Sequence, residues 1–119
     1  MQLLSFSAYS SCYIAPEKQG EFNINHQDKV IVKTQLVDSN YYVLISAPKS
    51  LDDLELNSVH LVFDDLDKPT FIAMLDKVLK GNEYSSLYEI DVSLIRDHFI
   101  AISYGHDCGY SLLKTVVWE

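Results

Sequence analysis

The chain has 119 residues, a length that fits one domain able to bury its own core. Seventeen acidic residues against nine basic ones give a net charge of −8, and 48% of the residues are apolar, which excludes a disordered chain. With Arg96 as the single arginine and eight scattered lysines, the sequence offers no basic face for neutralising phosphates and argues against direct nucleic-acid binding.

In chain order, Leu4, Phe6 and Ala8 share one face of a first predicted strand, and Phe22 and Ile24 make a short second one. Val30, Val32, Thr34 and Leu36 alternate against Lys29, Lys33 and Gln35; Asp38-Ser39-Asn40 then offers turn residues, and Tyr41, Val43, Ile45 and Ala47 return as the hairpin partner up to Pro48. Neighbours on a strand face opposite sides, so one ring of Tyr41-Tyr42 is expected at the surface. Val59, Leu61 and Phe63 alternate against Ser58, His60 and Asp64, placing His60 on a polar face beside carboxylates.

From Asp67 to Lys80 the period changes. Phe71, Ile72, Leu75, Val78 and Leu79 fall at helical spacing, with Asp67 as cap, Pro69 in the first turn and Gly81 past the end, which predicts the main helix. Tyr88, Ile90 and Val92 then alternate with Glu89 and Asp91, and a last pair of strands, His98 to Tyr104 and Tyr110 to Trp118, flanks Gly105-His106-Asp107-Cys108-Gly109. The sum is a single α+β domain over residues 1–119: a curved or split antiparallel sheet of about eight short strands packed on one main helix at about residues 67–80.

Ser50 to Asp67 carries Asp52, Asp53, Glu55, Asp64, Asp65 and Asp67 with no Lys or Arg. Some of this charge suits a loop and a helix start. A calcium loop is excluded by the missing Gly and terminal Glu at EF-hand spacing. The remaining reading is a docking surface for a basic protein, with His60 and the exposed Tyr42 as further contacts. His106-Asp107-Cys108 contains the residue types of thiol catalysis, but adjacent residues on a tight turn project in different directions, so His106 and Asp107 read better as contacts on a protruding tip. His26, His60, His98 and His106 show no metal-ligand spacing, and the four glycines form no phosphate loop, so neither a metal nor a cofactor is expected.

Cys12 and Cys108 lie near opposite ends of the chain and read as isolated thiols; a disulfide would need them on neighbouring strands. Met1 to Ala15 lacks the basic start and unbroken apolar core of a secretory leader, and no apolar run reaches the ~18 residues of a spanning helix, so the cytoplasm is the expected compartment.

Small, acidic and with its carboxylates clustered, the chain resembles in general character the immunity proteins that bacteria pair with nuclease toxins, including those of contact-dependent growth inhibition. The resemblance spans the whole chain and carries over no motif. It implies a stoichiometric inhibitor rather than an enzyme, one that covers a basic nuclease cleft with carboxylates as a substitute for phosphate. Two alternatives belong to other classes: a small thiol-dependent enzyme using Cys108, and a phage-type regulatory adaptor or nucleic-acid mimic.

Overall fold

Alternation with period two organises most of the molecule. The computed structural model describes residues 16–64, 68–95, 98–105 and 109–116. In chain order these form helix α1 (Pro16–His26), a 3-10 turn (Gln27–Lys29), β1 (Ile31–Val37), β2 (Asn40–Pro48), β3 (Ser50–Leu51), β4 (Leu54–Asp64), β5 (Pro69–Leu75), β6 (Val78–Lys80), β7 (Glu83–Asp91), a 3-10 turn (Val92–Leu94), β8 (His98–Tyr104) and β9 (Tyr110–Thr115).

Two antiparallel sheets result, so the expected split sheet is observed. The first has the order β1-β2-β7-β6. In the second, β4 pairs with β8 along one edge and with β5 and the short β3 along the other, and β9 lies outside β8. Val43, Ile45 and Ala47 of β2 meet Leu56, Val59 and Leu61 of β4, Ile100, Ile102 and Tyr104 of β8, and Leu112 of β9 in one core. A bulge between Leu56 and Ser58 keeps both Leu56 and Val59 on the inner face although they are three residues apart. Burial of each large aliphatic side chain contributes roughly 1.5–3 kcal/mol.

Two polar bridges fix the sheets against each other. The Tyr104 hydroxyl of β8 donates to the Pro48 carbonyl of β2 at 2.8 Å. Nearer the other end, Tyr88 Oη and His98 Nε2 lie 2.6 Å apart, with Phe63 stacked on the imidazole at 4.7 Å.

The turns obey backbone chemistry. Asp38 takes φ 58 in the β1–β2 turn, and Asp52 and Asp53 take φ 51 and 66 in the two-residue β3–β4 turn, a left-handed setting that Asp tolerates better than most side chains. Gly109 is forced by contact: a Cβ there would stand 1.8 Å from the Tyr104 carbonyl oxygen.

The helix is not where apolar spacing predicts it. Residues 69–75 and 78–80 of the expected helix are strands β5 and β6, separated by Asp76-Lys77. Phe71 and Ile72 of β5 and Val78 and Leu79 of β6 are adjacent apolar pairs that occupy both faces of their strands, and their combined spacing imitates a helix. The strand expected at Phe22 and Ile24 is instead part of α1, which buries only Phe22 and His26. Its packing face is polar. Gln19, Asn23 and Gln27 recur every fourth residue, a rise of about 6 Å, which matches two residues of strand. Gln19 donates to the Ser111 carbonyl and accepts from the Ser111 amide, Asn23 accepts from the Leu113 amide at 2.8 Å, and Gln27 donates to the Leu113 carbonyl at 2.9 Å. The side chains of α1 thus stand in for a strand next to β9. Phe22 pins the helix by stacking on Tyr110 at 4.7 Å. The strand predicted at Leu4 to Ala8, and Cys12, Asp67 and Cys108, lie outside the described residues.

Asn23→Ala should lower unfolding free energy by about 1–3 kcal/mol, because it strands the half-buried Leu113 amide. Gln27→Ala, at the exposed end of the row, should cost less than about 0.5 kcal/mol. Urea titration of the two variants checks the difference.

Candidate functional site

Among its described residues, the acidic stretch does not form one surface. Asp52 and Asp53 sit at one end of β4 and Asp64 at the other, ten strand steps or roughly 33 Å away. Asp52 Oδ2 lies 2.8 Å from His26 Nε2, tying the β3–β4 turn to α1. Asp53 completes the left-handed turn, and the Glu55 carbonyl accepts from the Gly105 amide while its side chain is exposed. Asp64, at φ 75 where β4 and β5 shift register, accepts from the Thr70 hydroxyl. Backbone conformation accounts for Asp52, Asp53 and Asp64 before any partner is invoked. Asp65, His106 and Asp107 lie outside the described residues. His60 is half-buried on the outer face of β4, with Nδ1 3.3 Å from the Ser58 hydroxyl.

A more organised group lies on the outer face of the first sheet. Because Tyr41 is buried, Tyr42 points outward, as the sequence requires. Register sets Tyr42 opposite Glu89 and Leu44 opposite Leu87, with Gln35 and Lys33 completing the two rows on β1. Glu89 is held on two sides: Asn40 Nδ2 donates to its Oε2 at 2.7 Å, and the Tyr42 hydroxyl donates to the same carboxylate. The negative charge of Glu89 is the main reason the Tyr42 phenol titrates above its ordinary range, with Asp38 adding to the effect.

Asp91, opposite Asn40 in the next row, accepts from the Ser93 amide at 2.8 Å and from the Ser93 hydroxyl at 2.7 Å; these bonds hold its carboxyl below the ordinary range. Asp38, Glu89 and Asp91 therefore gather at one end of the sheet, from two separate stretches of sequence, the β1–β2 turn and the end of β7. Beside them, Leu44 and Leu87 are exposed, and with Val37, Tyr42, Lys33, Thr34 and Gln35 they line a groove of about 690 Å³. The face combines an apolar centre with an anionic end, which is the composition of a protein-binding patch. A separate groove of about 380 Å³ between the sheets is lined by Phe63, Thr70, Phe71, Tyr88, Glu89 and Leu94.

Composition alone does not reveal this group. Its signal was the outward parity of Tyr42 combined with the β2–β7 register, and register is not written in a single strand.

Among the described residues, no group of three or more His, Cys, Asp or Glu side chains is placed to hold a metal ion, and no helix is long and apolar enough to cross a membrane. No protein-family model matches the chain, and no curated protein matches it.

The raised Tyr42 titration has a defined sign. The folded state holds the phenolic proton more tightly than the unfolded chain, so the stabilisation is complete below pH 10.0, the ordinary value, and is lost as pH rises through the folded value. Glu89→Gln should move the Tyr42 titration down toward 10.0 by removing its largest cause. Ultraviolet titration of the variant, with Tyr42→Phe to assign the signal, measures the change.

Proposed function

We propose that this protein is a binding module of the immunity type, which neutralises a basic nuclease toxin by covering it with the Tyr42 face of the first sheet. The observation that carries the reading is Glu89, an outward carboxylate fixed by Asn40 and Tyr42, beside Asp38 and Asp91 and next to the exposed Leu44 and Leu87. A carboxylate already held in place loses little freedom when a Lys or Arg of the partner pairs with it, and a tyrosine beside exposed leucines supplies rigid apolar contact. The net charge of −8 speeds encounter with a cationic surface over a longer range. Binding at this face uses Tyr42 from the sequence reading and adds Asp38, Glu89 and Asp91. Asp52 and Asp53 serve the β3–β4 turn and, for Asp52, the contact with α1.

The test is a search beside the gene for this chain for an encoded nuclease toxin domain, followed by biolayer interferometry of the pair across a salt series. The double variant Asp38→Lys with Glu89→Lys should slow association by about tenfold or more at low salt, and the deficit should shrink as salt rises. Asp53→Lys, on the distant turn, should change the rate by less than about threefold. Equal effects of the two changes would remove the Tyr42 face as the interface, and absence of any binding would remove the immunity reading.

A further inference from the structure

The sheet edges of this protein are treated unequally. β9 is lined by Gln19 and Asn23 of α1 and by Gln27 of the 3-10 turn that follows it. β6 is three residues long and ends in Lys80, and β1 carries Lys33 near its middle. Short length, charge and a covering helix are the usual means of keeping an edge from recruiting another strand.

Among the described residues β5 has none of them. Its seven residues, Pro69 to Leu75, include no charge, and Phe71, Ile72 and Met74 are 58%, 55% and 70% exposed. Among the described residues β5 pairs with β4 alone, and Pro69 stands at its first position, where it leaves the rest of the ladder able to bond. Such an edge is built for strand addition.

We propose that β5 pairs antiparallel with β5 of a second copy of this chain, across a two-fold axis at Ile72, so that the second sheets of two copies become one continuous sheet. A two-fold axis normal to a sheet keeps every residue on its own face, so facing positions must share parity. Centred on Ile72, the pairing sets Thr70 against Met74, Phe71 against Ala73, and Lys68 against Asp76 of the other copy. Lys68 and Asp76 flank the uncharged strand, are both exposed and carry opposite charge. This is the only permitted register that joins them. Shifting the axis to residue 71 or 73 sets Lys68 against Met74 or Val78 instead. Phe71 against Ala73 also matches large with small at both of its occurrences. The seam lies on the second sheet, away from the Tyr42 face, so a dimer leaves that face of each copy available.

Sedimentation equilibrium of the full chain, from low micromolar to a few hundred micromolar, tests the proposal. The wild-type chain should dimerise, and Ile72→Lys, which puts two like charges at the axis, should weaken the dimer by about tenfold or more. Lys68→Asp and Asp76→Lys should each weaken it by roughly threefold to tenfold, and the two together should restore it to within about twofold. Circular dichroism checks that each variant is folded, and if Ile72→Lys is not, the exposed charge pair decides the matter. A wild-type chain that stays monomeric overturns the proposal, including one that binds an extended strand of another protein. So does a dimer indifferent to these changes, and single losses without rescue in the double variant overturn the register.

Discussion

Each strand that closes a sheet exposes a row of backbone donors and acceptors, and the disposal of those rows governs how this protein is arranged. On β9 the row is met by side chains. An amide every fourth residue of α1 advances by nearly the same distance as every second residue of β9, so Gln19 and Asn23 reach Ser111 and Leu113 in step, and Gln27 in the following 3-10 turn closes on the Leu113 carbonyl. The helix is therefore held at the side of the sandwich rather than beneath a sheet. With Phe22 on Tyr110 and His26 near Asp52, it also anchors the β3–β4 turn, which leaves the outer face of the first sheet uncovered by α1.

From that placement the candidate site follows by parity. The inward set Tyr41, Val43, Ile45 and Ala47 is dictated by the core, and its complement on β2, Tyr42 and Leu44, is delivered to the outer face. Pairing with β7 then decides which residues stand beside them. One step of slippage would bring Tyr88 rather than Glu89 next to Tyr42, on the wrong face for both. The bridge from Tyr88 to His98 opposes that slip, because it fixes β7 against β8 of the other sheet. Core packing and site geometry thus depend on the same register.

The sequence was most legible where one face of a strand is buried and the other wet. β2, the Val59 to Asp64 part of β4, β8 and the β1–β2 turn follow from alternation and turn residues, whereas the start of β4 at Leu54, before its bulge, does not. β5 was not legible, because Phe71, Ile72 and Met74 are all exposed, so apolar character there does not report burial and the two-residue period vanishes. α1 was missed for the opposite reason. Its segment includes Gly20, Asn23 and Asn25, poor helix formers, and apart from Phe22 on Tyr110 its contacts with β9 are hydrogen bonds of side-chain amides, so apolar periodicity has little to detect. Pro16 at the first position, Glu17 in the first turn and the four-residue spacing of Gln19, Asn23 and Gln27 were the available signals.

The carboxylates divide by the same test of what the backbone already requires. Asp38, Asp52, Asp53 and Asp64 all hold left-handed conformations, where Asp is among the few side chains that fit well, so their identity needs no further cause even where their charge is useful. Glu89 is different. It lies inside a strand, where Glu is disfavoured, points outward, and takes two hydrogen-bond donors to hold it still. Neither turn geometry nor core packing asks for a fixed negative charge at that position. A cationic group arriving from outside would, and that distinction moves the centre of the proposed interface from the most acidic stretch of sequence to a single carboxylate near the end of β7.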